Sequence, residues 1–296
     1  MGAKLRIVRR RIRSVQSTMK ITRAMELIAA SRIVKAQQRV FEARPYADLL
    51  TAAMEDVARQ TGSIVHPLLE ERETPARAGV LVMTSDRGLA GSFNANLLKR
   101  AEDVLARVRA RGVEPVLYLT GKKAVSYFRF RGVTPDATWT GFSEVPTYDA
   151  AEEVGRRMIE DFASGRIDEL DVVYTDFRSA FTFRATDKRF LPIAPEEVVA
   201  DPAGMPHPEY IFEPEPAQIL DELLPQYVIT KVYFALLESA ASENAARQRA
   251  MAAATDNAEE LTKVLTRQAN RARQDEITTE IMEIVGGAEA LAGSKE

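Results

Sequence analysis

The spacing of apolar side chains in the first sixty residues constrains the fold more than any other feature of the sequence. Apolar residues recur three and four positions apart, which is the spacing of a coiled-coil seam. The pattern is interrupted around Thr22 to Met25, which predicts a shift of phase and local unwinding of the supercoil. Pro45 lies inside the second part and predicts a bend in a helix that continues past it. The seam positions are Leu5, Val8, Ile12, Val15 and Met19, followed by Ile33, Ala36, Val40, Ala43, Ala47, Leu50, Met54 and Val57.

A second long helix is predicted at the other end of the chain. It begins near Pro216, in a first helical turn, and the glycine pair Gly286 and Gly287 predicts its end. About seventy residues at 1.5 Å each give roughly 105 Å, which is too long for a helix that folds into a compact core by itself. Because a whole domain connects the two helices, we expect them to pair antiparallel. The apolar positions of this helix include Val232, Leu236, Ala246, Ala250, Ala254, Ala258, Leu261, Leu265, Ala272, Ile277, Ile281 and Ile284.

The middle of the chain alternates between strand and helix patterns. Such alternation predicts an α/β fold with a doubly wound, Rossmann-like parallel sheet. The predicted strands are 80–84, 116–120 and 172–175, and the predicted helices are 93–111, 122–131 and 148–164. Partial alternation over 181–193 favours an added antiparallel strand, and proline-rich residues 192–216 are typical of a linker. We therefore expect a coiled-coil helix over 1–60, a central α/β domain over 75–200 and a second coiled-coil helix over 212–288.

Charge is distributed unevenly along the chain. Lys and Arg number 40 against 43 Asp and Glu, so the net charge of −3 gives no overall attraction to nucleic acid or acidic lipid. Between Lys4 and Arg44, however, twelve Lys or Arg face only two acids, Glu26 and Glu42. This asymmetry predicts an acidic partner surface for the N-terminal helix. No run approaches the roughly 18 apolar residues that span a bilayer, so any membrane association is expected through partners only.

Two loops in the central domain resemble phosphate-binding turns. Ser85 to Gly91 follows the first predicted strand, at a place where α/β folds often hold phosphate, but it lacks the spaced glycines of a dinucleotide site and Asp86 would repel an anion. Thr120 to Lys123 resembles the end of a phosphate loop, yet the required earlier glycine is Val116 and Lys123 replaces the magnesium-binding hydroxyl. Both loops are interpreted as structural turns.

No other pattern predicts catalysis. The chain has no cysteine, which excludes disulfides and thiol nucleophiles. His66 and His207, each beside a proline, are expected as exposed loop residues without metal-ligand spacing. Adjacent glutamates at 152–153, 196–197 and 259–260 are expected to be solvated. We predict no catalytic, cofactor-binding or metal site.

Two other functions are compatible with parts of the pattern. Residues 79–195 would suit a nucleotide-binding enzyme with helical oligomerisation arms. The basic N-terminal helix would suit a nucleic-acid-binding coiled coil. No aromatic residue precedes Phe41, and the basic residues flank an apolar seam, which favours charge decorating a coiled coil over nucleic-acid binding.

Three segments resemble signatures of the F-type ATP synthase gamma subunits. The first comprises RIRSV at 11–15, KITRAM at 20–25 and AASR at 29–32. The second is TSDRGLAG at 84–91. The third includes SE at 242–243, AAR at 245–247, AM at 250–251, AATDNA at 253–258, Asn270, ARQ at 272–274, IT at 277–278, Glu280 and GA at 287–288. Together they cover both ends of the chain and the first strand and loop of the central domain.

This resemblance implies a non-catalytic rotor. In the family, the terminal helices form an antiparallel coiled coil inside a ring of alternating alpha and beta subunits, and the α/β domain contacts the epsilon subunit and the membrane c-ring. The shaft couples transmembrane flow of protons or sodium to ATP synthesis or hydrolysis in the beta subunits, at the cytoplasmic face of a bacterial cell membrane. No cofactor is implied, and the absence of cysteine implies no thiol regulation. The implied partner contacts are Lys20, Arg23, Met25, Arg247, Arg273, Gln274 and Thr278.

Overall fold

A computed structural model describes residues 3–61, 66–179, 182–194 and 215–293. The chain divides into two compact units, one made of Met1–Ile28 with Gln248–Glu296 and the other of Ala29–Arg247. The helices are α1 (Ala3–Thr61), α2 (Phe93–Ala110), α3 (Lys122–Phe130), α4 (Tyr148–Ala163) and α5 (Pro216–Gly293). The strands are β1 (Arg77–Met83), β2 (Glu114–Thr120), β3 (Ala137–Trp139), β4 (Glu169–Phe177) and β5 (Phe183–Leu191).

The first unit consists of the outer ends of the two long helices. The hydroxyls of Thr22 and Thr255 lie 2.8 Å apart and fix one point of the register. Since the segment before Thr22 shares this unit with the segment after Thr255, the two helices run antiparallel. Leu5 and Ala272, each seventeen residues from this point, are both buried. The predicted antiparallel pairing is confirmed.

The seam along α1 has no interruption, contrary to the expectation for residues 22–25. Thr22 is buried at a seam position, Met25 and Glu26 are half-buried, and Ala29 is buried, so the three- and four-residue steps continue. The Thr22 hydroxyl lies 3.0 Å from the Met19 carbonyl and 2.8 Å from the Thr255 hydroxyl, so it has polar partners on its own helix and on the other. A polar side chain thus occupies a seam position, which a search for apolar residues in the sequence does not detect.

The seam along α5 differs from the sequence-based assignment in the same way. Thr255 and Thr262 occupy partly buried seam positions and donate to the carbonyls of Met251 and Ala258. Leu261, placed on the seam by its apolar character, is 47% exposed. The C-terminal isoleucines assigned to the seam are exposed as well: Ile277, Ile281 and Ile284. In the first unit, the buried apolar positions of α5 are Met251, Ala258, Leu265, Ala269 and Ala272.

The second unit is built on a five-stranded sheet with the order β3-β2-β1-β4-β5. The first four strands in this order are parallel, and β5 pairs antiparallel with β4. The three predicted strands, the three predicted helices and the antiparallel strand are confirmed within a few residues. The sequence does not predict β3, because this strand has only three residues.

Helices cover both faces of this sheet, as in a doubly wound fold. One apolar cluster joins the sheet to α4 and to the inner parts of the long helices, through Leu50 and Met54 of α1 and Leu224 and Val228 of α5. The other cluster joins the opposite face to α2 and α3. A Cβ at Gly155 on α4 would lie 2.9 Å from the Ile229 side chain, so the missing side chain permits close contact with α5.

The long helices pass through residues that usually end a helix. α1 contains Pro45 and α5 contains Pro225. The predicted end at Gly286 and Gly287 is wrong, since α5 reaches Gly293. A glycine costs about 1 kcal/mol in a helix relative to alanine and stops it only when a cap is formed. Most of the predicted linker, with His207 and the glutamates at 196–197, lies outside the described residues. Among the described helices, none is both long and apolar enough to cross a membrane.

Candidate functional site

The carboxyl ends of the parallel strands are where α/β folds of this type usually bind ligands. The crevice opens where strand order reverses, here between β1 and β4. Beside it, at the ends of β1 and β2, the remaining cavity is about 10 Å³, the smallest space that could hold one water. Leu236, Ser239 and Glu243 of α5 line it. The Ser239 hydroxyl also accepts the Thr175 N–H of β4 at 3.1 Å, so the chain's own long helix packs across this edge of the sheet.

Asp86 closes the same edge of the sheet. Its carboxylate accepts hydrogen bonds from the backbone N–H groups of Lys122 (3.2 Å), Gly141 (2.8 Å) and Ser143 (3.1 Å). An aspartate engaged in this way joins three loops and presents negative charge to any incoming phosphate. The loop at 85–91 is a structural turn, as the sequence predicts.

The first turn of α3 has no amide left for an anion. Lys122 N–H donates to Asp86, Lys123 N–H to the Ser85 carbonyl, and Ala124 N–H to the Thr84 hydroxyl at 2.9 Å. Gly121 precedes this turn with φ of +87°, and a Cβ there would lie 2.1 Å from the Thr84 carbonyl oxygen. Only glycine fits this position, so close packing against Thr84 explains the glycine that resembles part of a phosphate loop.

A buried ion cluster lies next to this edge. Arg247 of α5 is only 6% exposed and donates to Glu243 at 2.6 Å. Its guanidinium also lies 3.5 Å from Glu144 and donates to the Gly88 carbonyl at 3.4 Å. Burial raises the pKa of the Glu243 carboxyl above its ordinary value, and the Arg247 charge opposes that shift. Arg247, expected to contact a partner, is thus engaged inside the chain.

The other expected contact residues belong to the first unit. Arg23 is exposed and pairs with Glu26 at 3.0 Å, while Met25 is half-buried. Thr278 is exposed and its hydroxyl donates to the Gln274 carbonyl. Three further exposed side chains complete the set: Lys20, Arg273 and Gln274. Their contact with partners stays a prediction.

The N-terminal part of α1 presents positive charge on its surface. The exposed cations before the first acid are Lys4, Arg6, Arg9, Arg10, Arg11, Arg13, Lys20 and Arg23. The half-buried seam residues Val8, Ile12 and Val15 lie between them. A cationic surface around an apolar seam is the arrangement that the sequence predicts for a coiled coil facing an acidic partner.

His66 differs from its predicted exposed position. It is half-buried, and its Nδ1 accepts the Leu68 N–H at 3.1 Å. Burial lowers the pKa of His66, while Asp221, 3.4 Å away, and Glu70 oppose the shift. A neutral histidine that accepts the Leu68 N–H stabilises the local turn.

The paired glutamates that the structure describes are engaged with side chains nearby. Glu152 pairs with Arg156, and Glu259 pairs with Lys263, both on exposed helix surfaces. Glu153 accepts from the Trp139 indole at 3.1 Å. Across the ranges that the structure describes, no group of three or more acidic or histidine side chains could hold a metal ion.

Comparison with known proteins shows which family this chain belongs to. A family model described as ATP synthase matches residues 4–291. The ATP synthase gamma chain of Parafrankia sp. is 55% identical over 296 residues, which cover 99% of this chain and 99% of that protein. This chain belongs to the ATP synthase gamma family. The gamma chain of Mycolicibacterium smegmatis is 51% identical over the full length of both proteins.

Solved structures show the same fold as this gamma-family chain. A chain from the Euglena gracilis mitochondrial ATP synthase, solved with OSCP, F1 and c-ring, superposes with a TM-score of 0.69. It is 18% identical, and the match covers 100% of this chain and 97% of that one. A chain from the central stalk and c-ring of the Tetrahymena thermophila enzyme gives a TM-score of 0.60 at 22% identity, over 79% of this chain and 99% of that one.

Sequence reasoning missed several residues that organise this gamma-family chain. Glu144 lies in a loop without regular spacing, where an isolated glutamate is typical of solvated surface. Arg32 lies within the basic stretch, and only the family-like segment at 29–32 distinguishes it from its neighbours. The signal in the sequence was the resemblance to the family at 29–32, 84–91 and 245–247, which marks the segments that meet at the cluster without indicating their contacts.

Proposed function

We propose that this chain is the central rotor shaft of an F-type ATP synthase, coupling transmembrane ion flow to ATP synthesis or hydrolysis in other subunits. The single observation that carries the proposal is that α5 packs across the carboxyl ends of the parallel strands. An α/β sheet that uses its ligand edge to seat a 78-residue helix is a mechanical mount for that helix. The full-length relationship to gamma chains supports the same role.

A shaft must be stiff along its axis and unequal around it. At 1.5 Å per residue, α5 extends over roughly 117 Å. In the first unit it pairs with α1. Two helices side by side resist bending more than one helix does, and the cross-section of the pair is not circular, so it presents a different surface in each direction. Each orientation would therefore press differently on otherwise equivalent catalytic subunits, whose activity responds to conformation.

The shaft surface suits turning within a ring. Exposed ion pairs contribute about 0 to 1 kcal/mol each, so many weak contacts give no single angle a deep energy minimum. The cations of α1 would meet acidic surfaces of alpha and beta subunits, with Lys20, Arg23, Met25, Arg273, Gln274 and Thr278 among the contacts. Arg247 would act from inside, by holding α5 in place.

The remaining assignments follow from this role. The chain would be a non-catalytic subunit, because its ligand edge is filled by its own residues. Its α/β unit would contact the epsilon subunit and the membrane c-ring, so the chain would be a peripheral component at the cytoplasmic face of a bacterial membrane. Nucleic acid has no part in it.

Purification of a tagged chain from its host membranes tests the proposal. We expect alpha and beta subunits to accompany it in a complex that hydrolyses ATP. The matched control is the same chain carrying Lys20→Glu and Arg23→Glu, two exposed changes that should weaken the association. A wild-type chain recovered alone, without ATP-hydrolysing partners, would refute the rotor.

A further inference from the structure

The Glu144 carboxylate contacts arginines from three separate parts of the second unit. Arg32 of α1 donates a hydrogen bond to its carboxylate. Arg87, in the loop after β1, and Arg247 of α5 each lie 3.5 Å away. Glu144 itself is 15% exposed. One carboxylate between β3 and α4 thus contacts both long helices and the loop that follows the central strand.

The loop that carries Glu144 is itself fixed to the sheet. Asp86, three residues beyond the end of β1, accepts the N–H groups of Gly141 and Ser143, and its own N–H donates to the Ser143 hydroxyl at 2.9 Å. Hydrogen bonds from Asp86 therefore hold the loop next to Glu144 against the segment that follows β1. Glu144 then reaches α1 through its hydrogen bond with Arg32 and α5 through its ion pair with Arg247.

The position of this cluster matches the end of the second unit. That unit begins at Ala29 and ends at Arg247, so Arg32 lies one turn inside one helix and Arg247 is the last residue on the other. Glu144 therefore binds both helices at the level where they leave the α/β unit. Torque carried by either helix enters or leaves the sheet at this level.

The chemistry of the contact suits resistance to twisting. Apolar packing is non-directional and allows a helix to slide or rotate on its seat. Charge-assisted hydrogen bonds have fixed geometry and are roughly twice as strong as neutral ones. Three arginines that approach one carboxylate from different elements oppose rotation of either helix relative to the sheet.

We propose that Glu144 is a torsional joint that locks α1 and α5 to the α/β sheet, so that rotation of the shaft and rotation of the sheet unit stay coupled under load. The proposal rests on the rotor function proposed above. Glu144 is a positioning residue that acts through Arg32 and Arg247 and contacts no substrate.

Glu144→Gln tests the joint in assembled ATP synthase. The substitution keeps the side-chain size, removes the charge and leaves Arg247 paired with Glu243, so the chain should fold. In inverted membrane vesicles we expect near-normal ATP hydrolysis and a loss of ions pumped per ATP against an imposed gradient, because the joint no longer has its charge-assisted bonds. Arg32→Gln, which detaches α1 alone, should lower the same ratio.

Glu152→Gln is the matched control. It makes the same change on a half-buried glutamate of α4 whose ion pair, with Arg156, lies along its own helix, and should leave the ratio unchanged. The melting temperature and the alpha and beta content of each complex report on folding and assembly, which a purely structural role would alter without changing the ratio.

The outcomes separate this inference from the rotor itself. Pumping per ATP equal to that of the wild type in Glu144→Gln would overturn the joint while leaving the rotor intact. If Glu144→Gln does not assemble, Arg32→Gln decides, and a normal ratio there overturns the joint. Failure of the wild-type chain to enter any ATP-hydrolysing complex would refute the rotor instead.

Discussion

The hydroxyl oxygens of Thr22 and Thr255 lie 2.8 Å apart although 233 positions separate them in the sequence. Each hydroxyl also contacts its own helix, through the carbonyls of Met19 and Met251. This pair joins two polar residues across a largely apolar seam, and polar seam residues specify register. Any sliding of one helix along the other would separate the two hydroxyls.

Replacing both partners of this pair should cost little more than replacing one. Thr22→Val or Thr255→Val leaves a partly buried hydroxyl without its cross-helix partner, which costs about 1 kcal/mol. The double variant should lose little more than either single variant, because both polar groups are gone. Urea unfolding of the four proteins measures the coupling. Thr18→Val, at an exposed hydroxyl on the same helix, is the control, and strictly additive losses would contradict the pairing.

Gly121→Ala should destabilise the α/β unit strongly. The new Cβ would meet the Thr84 carbonyl at 2.1 Å in a backbone with positive φ, which we expect to cost about 3 kcal/mol or more. Gly132→Ala is the matched control, since its φ is also positive but no atom lies within 4 Å of the added Cβ, and it should cost about 1 kcal/mol. Equal losses in denaturant unfolding would show that the crowding at the strand edge has no effect.

Glu238 should make stability depend on pH. Burial raises the pKa of its carboxyl from 4.5 to about 7, Asp176 adds to the rise, and Lys188 and the Phe177 N–H oppose it. The folded chain therefore holds this proton more tightly than the unfolded chain, so stability falls as pH rises from about 4.5 to about 7 and stays low above that.

Removing this charge should reverse the loss. Glu238→Gln is expected to be more stable than the wild type at pH 8, by up to about 3 kcal/mol for a shift of this size, and equally stable near pH 4. Unfolding at a series of pH values measures the difference. A constant difference across the range would mean that the carboxyl does not titrate in this window.

Removal of residues 274–296 should leave the α/β unit folded. This segment belongs to the first unit, and its described apolar side chains are exposed, with Ile281 at 55% and Ile284 at 72%. Its loss therefore removes little burial, while the coupling of hydrolysis to ion pumping should weaken because the shaft is shorter. Circular dichroism and limited proteolysis check the first expectation. Rapid cleavage within 77–191 in the shortened chain would contradict it.

Periodicity predicted most of the fold because buried apolar side chains dominate its elements. The strands at 80–84 and 116–120 lie within β1 and β2, where burial on both faces gives a readable apolar run. The same reasoning failed at Thr22 and Leu261, because a threonine that bonds its own helix can be buried and an isoleucine or leucine can remain on the surface. β3 carries too few residues to produce any period.

The organising polar residues could not be predicted from local sequence. Glu144 acquires its role from arginines 112, 57 and 103 positions away, at residues 32, 87 and 247, and no short-range pattern encodes such a meeting. The sequence predicts that Asp86 repels an anion, but its partners across two loops depend on the sheet order. The segments that resemble the family lie near this cluster, but the resemblance does not indicate which side chains contact each other.

Direct observation of rotation tests the central claim. Because the chain has no cysteine, Arg109→Cys on the exposed side of α2 provides a single attachment point for a gold particle, while the complex is held to a surface through its beta subunits. We predict that the particle turns continuously in one direction when ATP is added and stops when ATP is removed. A particle that stays still on complexes hydrolysing ATP at the normal rate would contradict the account of this chain as a rotating shaft.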